Sequence, residues 1–114
     1  MELSELYEIT GGDANEVKTR LQSDVLVREL LRMFPSDQNF AVLDAAMADE
    51  NKEQALKAAQ ALEKAAGDLG LGGLHEAASK LVNALAHTEA GDPNMLYLDV
   101  KEAYEIAVNA IKHL

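Results

Sequence analysis

The sequence predicts an all-α fold, an up-down-up-down four-helix bundle with additional short N-terminal helices. Three observations carry this expectation. Apolar residues recur at helical spacing through four long segments. Aromatics make up only 4% of the chain, so the core must be built from Leu, Val, Ile, Met and much Ala, whose small side chain lets helices approach closely. Both prolines, Pro35 and Pro93, fall at apparent helix boundaries, and the connections are short, which makes sequential helices antiparallel neighbours.

Taken in order, Glu2 to Ile9 is a short amphipathic segment with Leu3, Leu6 and Tyr7 at helical spacing, broken by Gly11-Gly12. Asp13 caps a short helix from Ala14 to Leu21. Ser23 caps the next, with Val25, Val27, Leu30, Leu31 and Phe34 as its apolar set, and Pro35 ends it. Ser36 or Asp37 opens a helix to about Ala48, with Phe40, Leu43, Ala46 and Met47 apolar. Asn51 opens a longer helix that runs to Leu69. Gly70 then supplies a left-handed cap, and Leu71 is the hydrophobic residue that often follows one. The next helix starts near Gly73, ends near His87, and buries Leu74, Ala77, Ala78, Leu81 and Leu85. Pro93 suits the first turn of the last helix, which reaches Ile111 or beyond and buries Leu96, Val100, Ala103, Tyr104, Ala107 and Ile111. No linker or repeat divides the chain, so residues 1–114 read as one helical domain with one core.

Charge narrows the function classes. Twenty acidic residues against ten basic ones give a formal charge of −10, which repels phosphate backbones and anionic lipid. Nucleic acid and membrane are therefore not expected partners. The absence of cysteine removes disulfides and thiolate chemistry and suits a reducing compartment. The acidic start has no basic n-region or apolar h-region, and no run approaches the ~18 apolar residues of a membrane span, so a cytoplasmic location is expected.

The helix from Asn51 to Leu69 is the most informative. On a wheel at about 100° per residue, Ala55, Ala58, Ala59, Leu62, Ala65, Ala66 and Leu69 form one apolar stripe centred on Leu62. Gln60 lies roughly 160° from Leu62 and so faces solvent. Glu53, Lys57, Lys64 and Gly67 share that outer face, with Leu56 and Glu63 at its margin. The wheel taken by itself describes an ordinary solvated face with a Glu53/Lys57 stabilising pair.

The stretch Ala58-Ala-Gln-Ala-Leu-Glu-Lys-Ala-Ala-Gly-Asp-Leu-Gly-Leu71 resembles the signature helix of histidine-containing phosphotransfer (HPt) domains. That family carries Ala-His-x-Leu-Lys-Gly-x-Ala-x-x-Leu-Gly, and its histidine holds a phosphoryl group between a kinase and a response regulator. Ala59, Leu62, Ala66, Leu69 and Gly70 fit. Gln60 stands at the histidine, Glu63 at the lysine and Lys64 at the glycine. The resemblance extends through the order and length of the helices over roughly residues 24 to 112. The N-terminal Leu-Tyr-Glu…Gly-Gly-Asp is similar to a bacterial subgroup of small stand-alone HPt proteins.

What the resemblance implies depends on those three departures. An imidazole nitrogen is nucleophilic near neutral pH, whereas the lone pair of the Gln60 amide is delocalised into its carbonyl. Glu63 repels a phosphoryl group where the family's lysine neutralises one. Lys64 crowds an approach that the family's glycine leaves open. The implied protein is non-catalytic. It docks a receiver domain or a histidine kinase in two-component signalling through Leu56, Lys57, Gln60, Glu63, Lys64 and Gly67, without phosphotransfer.

Two other readings stay open. An active phosphotransfer protein would need another histidine. His75 sits in the first turn of its predicted helix, where the dipole disfavours imidazolium. His87 lies near that helix's end and His113 beside the C-terminus. None has the family's context and each reads as a surface or partly packed histidine, with His75 the least unsuitable as a relocated acceptor. A helical adaptor or oligomerisation module that kept only the fold is the third reading. The run Gly67-x-x-Gly70-x-Gly72-Gly73 lacks the preceding strand and following Lys-Ser/Thr of a phosphate loop, and a cap with a tight turn explains it. No metal-ligand spacing, acid-base pair or Ser-His-Asp arrangement stands out, so neither metal nor cofactor is expected.

Overall fold

The computed structural model describes the backbone of residues 1–114 and every side chain except that of Thr88. Seven α-helices follow one another: α1 Leu3–Thr10, α2 Ala14–Leu21, α3 Asp24–Met33, α4 Asn39–Ala48, α5 Lys52–Asp68, α6 Gly72–Ala86 and α7 Pro93–Lys112. Short 3-10 turns lie at Phe34–Ser36 and Thr88–Ala90. Among the described residues there is no strand, and no helix is long and apolar enough to cross a membrane.

Local chemistry sets the boundaries. Asp13 accepts from the amides of Asn15 (2.9 Å) and Glu16 (3.4 Å), Ser23 Oγ from Leu26 (3.1 Å), and Asn51 Oδ1 from Gln54 (3.1 Å). Each satisfies first-turn donors that the helix itself leaves unpaired. Pro35 cannot continue α3 as an α-helix, so the chain tightens into the 3-10 turn at Phe34–Ser36. The start of α4 comes later than Asp37: the Asp37 carboxylate instead accepts from the amide of Asn39 at 2.8 Å, and the helix begins there.

The longer helices pack in sequence, α4 on α5, α5 on α6 and α6 on α7, while α1 lies along α7 and touches α6. Leu3, Leu6 and Tyr7 of α1 join Leu43, Leu62, Leu74, Leu81, Val100 and Ile111 in one buried cluster. Four of the five buried residues of α5 are alanines, 55, 58, 59 and 66, so its neighbours approach the backbone closely. Four of the five aromatics gather at one place. Phe40 stacks on Tyr104 (4.1 Å between ring centroids) and Tyr97 (6.2 Å), and Phe34 tilts against Tyr104 at 5.8 Å. Tyr97 OH also donates to the Asp44 carboxylate.

Some assignments of buried side chains change. Val25 is 66% exposed. It stands about 200° round α3 from Val27, so one helix cannot bury both. On α7, Tyr97 and Ala110 are buried, whereas Leu96, Ala103 and Tyr104, to which the sequence pointed, are only half-buried. Ala84 of α6 joins the core, and Ala77 stays half-exposed.

The glycine-rich run finds its role in packing. Gly11 and Gly12, between α1 and α2, lie against Gly70, in the link after α5, and Gly72 and Gly73, the first residues of α6. A side chain on Gly12 would run into the carbonyl oxygen of Gly70, and one on Gly72 into that of Gly11. Gly70, at φ 73°, also supplies the left-handed residue after α5.

Candidate functional site

Helix α5 presents its two sides as the wheel requires. Ala55, Ala58, Ala59, Leu62 and Ala66 are buried, Leu62 completely, and Leu69 just beyond the helix end is buried too. Gln60, Lys57 and Lys64 are exposed, while Leu56, Glu63 and Gly67 are half-buried along the edge. The six candidate residues therefore share one solvent-facing side of a single helix. Ala65, placed within the stripe, is half-buried.

Both lysines on this face are already paired. Lys64 Nζ lies 2.9 Å from Asp68 Oδ2, and Lys57 Nζ lies 3.8 Å from Glu53 Oε1, both one turn apart. Such exposed pairs contribute only about 0.3–0.5 kcal/mol each, so they steer the lysines without locking them. Gln60 sits between the two pairs in sequence and offers an amide that donates and accepts hydrogen bonds. The face can bind through hydrogen bonds and side-chain contact. The lone pair of the Gln60 amide nitrogen is delocalised into its carbonyl, so that nitrogen is not a nucleophile.

A histidine stands at the edge of this face. The His75 ring, from the first turns of α6, reaches across to α5, with Nδ1 2.8 Å from the Glu63 carbonyl oxygen. A carbonyl only accepts, so Nδ1 carries the proton, and in the neutral ring Nε2 keeps its lone pair. Gly67 makes room for it: a Cβ there would come within 2.9 Å of His75 Nδ1. Gly67 thus has a packing reason to be glycine. The sequence placed His75 correctly on α6 but gave no sign that its ring crosses to α5. The available signal was register. Gly67 and His75 lie four residues either side of Leu71, so a turn closing there sets them opposite each other.

The remaining histidines have different settings. His113 Nδ1 lies 2.8 Å from the Asn109 carbonyl oxygen of its own helix, and His87 follows the last turn of α6. Among the described residues, no three His, Cys, Asp or Glu side chains gather as ligands for a metal ion. Burial, more than any neighbouring charge, raises the phenols: Tyr7 to about 12, with Tyr97 and Tyr104 also pushed up. All three pack into the body of the protein, away from this face.

No protein-family model, curated protein or solved structure matches the chain.

Proposed function

We propose that this chain is a stand-alone HPt-like protein that docks a receiver domain or a histidine kinase and does not pass phosphate through Gln60. In this reading α4 to α7 form the up-down-up-down four-helix bundle, with α1 to α3 as the additional N-terminal helices. Support comes from the sequential packing of those four helices and the three-residue links at 49–51 and 69–71. The role belongs to a cytoplasmic bacterial two-component system, where such a protein competes with a true phosphotransfer partner for the same docking surface.

The observation that carries the reading is Gln60. It is exposed in the middle of the outward side of α5, while Ala59, Leu62, Ala66 and Leu69, the residues shared with the HPt signature, are buried behind it. A partner approaching this side meets Leu56, Lys57, Gln60, Glu63, Lys64 and the edge of Gly67. It meets an amide where an acceptor nitrogen would need to be.

A pull-down from the native cytoplasm tests this, with a Leu56→Ala/Gln60→Ala/Lys64→Ala variant as control. Receiver domains or kinases captured by the parent and lost by the variant support docking. Partners of other classes, retained by the variant, favour the adaptor reading.

One observation favours the second reading, phosphotransfer through His75. Its Nδ1 is held by the Glu63 carbonyl, leaving Nε2 as the free nitrogen at the rim of the docking face. Incubation with a competent kinase and a phosphorylated receiver separates the two. Acid-labile, base-stable label on His75, removed by His75→Gln, replaces the first reading with the second. No label supports the first.

A further inference from the structure

A second feature lies round the side of α5, away from Gln60. There the last turns of α5, the end of α3, the 3-10 turn after it and the end of α2 enclose an open groove of about 810 Å³. Its floor is Phe34 and Leu69, both buried. Leu21, Leu30, Met33 and Ala65 form its sides. Met33 is 67% exposed, and Leu26, a further turn back on the same side of α3, is 40% exposed. Leu26, Leu30 and Met33 fall at i, i+4 and i+7, so α3 offers a continuous apolar ridge beside the groove.

We propose that this groove binds an amphipathic, basic helix of a partner protein. The shape argues for a helix. The walls are helices, the described residues contain no sheet edge for strand addition, and a ridge at helical spacing beside a trough is what another helix packs into. Met33 adds an adaptable apolar contact.

Charge argues for a basic one. Asp37 and Asp68 stand on the groove's rim, Asp68 paired at 2.9 Å with Lys64 and Asp37 facing no cation among the described residues, and the chain as a whole carries −10. The one cation on the rim, Arg20, is engaged at 3.1 Å by Glu16. Charge also argues against a second copy. The other exposed apolar stripe, Met95, Leu98 and Ile106 on α7, is interleaved with Asp99, Glu102 and Glu105. Seating it in the groove would set acid against acid.

This inference stands apart from the reading of Gln60, and its test keeps the two separate. The probe is a fluorescein-labelled synthetic amphipathic helix with leucine along one side and lysine flanking it. The control is the same peptide with glutamate for lysine. The lysine peptide is expected to bind, shifting amide resonances at Leu21, Leu30, Met33, Ala65 and Leu69. Met33→Glu and Asp68→Lys each weaken it roughly tenfold or more, and Gln60→Ala leaves it unchanged. Both substituted side chains are exposed, and thermal melts confirm that the variants fold. No binding, equal binding of the two peptides, or shifts centred on α7 overturns the proposal. So does a dimer in sedimentation that Met33→Glu dissolves, which would give the groove to a second copy.

Discussion

The hydroxyl of Tyr7 donates to the main-chain oxygen of Leu69 at 2.6 Å, joining the first helix to the end of α5 across 62 residues of chain. Both groups are buried, and the Leu69 carbonyl belongs to the turn that aims α5 into α6. The bond therefore ties the N-terminal segment to the helix that carries Gln60.

Tyr7→Phe leaves that carbonyl without its donor, and a buried polar group so orphaned costs about 1–3 kcal/mol. Urea denaturation should register a loss in that range while circular dichroism stays helical. The same phenol predicts an alkaline effect. Its folded pKa is raised to about 12 from 10.0, so the folded state holds the proton more tightly than the unfolded chain. Its contribution is fully present below pH 10 and is lost as pH rises towards 12. Denaturation midpoints should fall from pH 9 to pH 11, and fall less in Tyr7→Phe. An unchanged midpoint in the parent would contradict the burial of its phenols.

Gly12→Ala tests the contact between the two glycine-rich turns. The new methyl meets the Gly70 carbonyl and the Tyr7 ring, and main chain cannot yield as a flexible side chain does. Forced overpacking of this kind costs about 1–3 kcal/mol. A variant as stable as the parent would mean that the turns do not touch.

Leu62→Ala and Gln60→Ala separate the two sides of α5. Leu62 is fully buried, so its truncation should cost about 2–5 kcal/mol; Gln60 faces solvent, where changes stay within ~0.5 kcal/mol. Chemical denaturation of the pair gives the difference directly. Equal, small effects would put the wrong side of the helix inwards.

That contrast also marks how far the sequence could be read. The division of α5 follows from period alone, because one wide alanine-leucine arc alternates with charge. Helix ends at Asp13, Ser23, Asn51 and Pro93 were legible because a cap or a proline acts within its own turn. Helix α4 was harder. Phe40, Val42, Leu43, Ala46 and Met47 are apolar on more than one side, so period does not say that Leu43 and Ala46 are the buried pair. Tyr97 was missed because its burial depends on Phe40 and Asp44, more than fifty residues away. The candidate face was legible residue by residue, with Leu56 and Glu63 at its margin, but the neighbouring His75 was not. The His75 ring belongs to it only through the packing of α6 on α5.

Building the HPt signature onto α5 gives the most demanding prediction. Gln60→His alone supplies a nucleophilic nitrogen but leaves Glu63 opposing a phosphoryl group and Lys64 over the approach. The change Gln60→His/Glu63→Lys/Lys64→Gly removes both obstacles on the same exposed side. The His75 contact should persist, because it is made to the main chain of residue 63 and not to its side chain. Losing the Lys64–Asp68 pair costs a few tenths of a kcal/mol and glycine in the helix about 1 kcal/mol more, within what a domain stable by ~5–15 kcal/mol tolerates. Phosphate accepted from a panel of phosphorylated receivers, followed as acid-labile label, should rise from parent to single to triple variant. The label should sit on the new histidine and survive His75→Gln. A triple variant that is folded yet neither binds nor accepts phosphate from any receiver would show that the surface does not dock them, and the adaptor reading would take precedence.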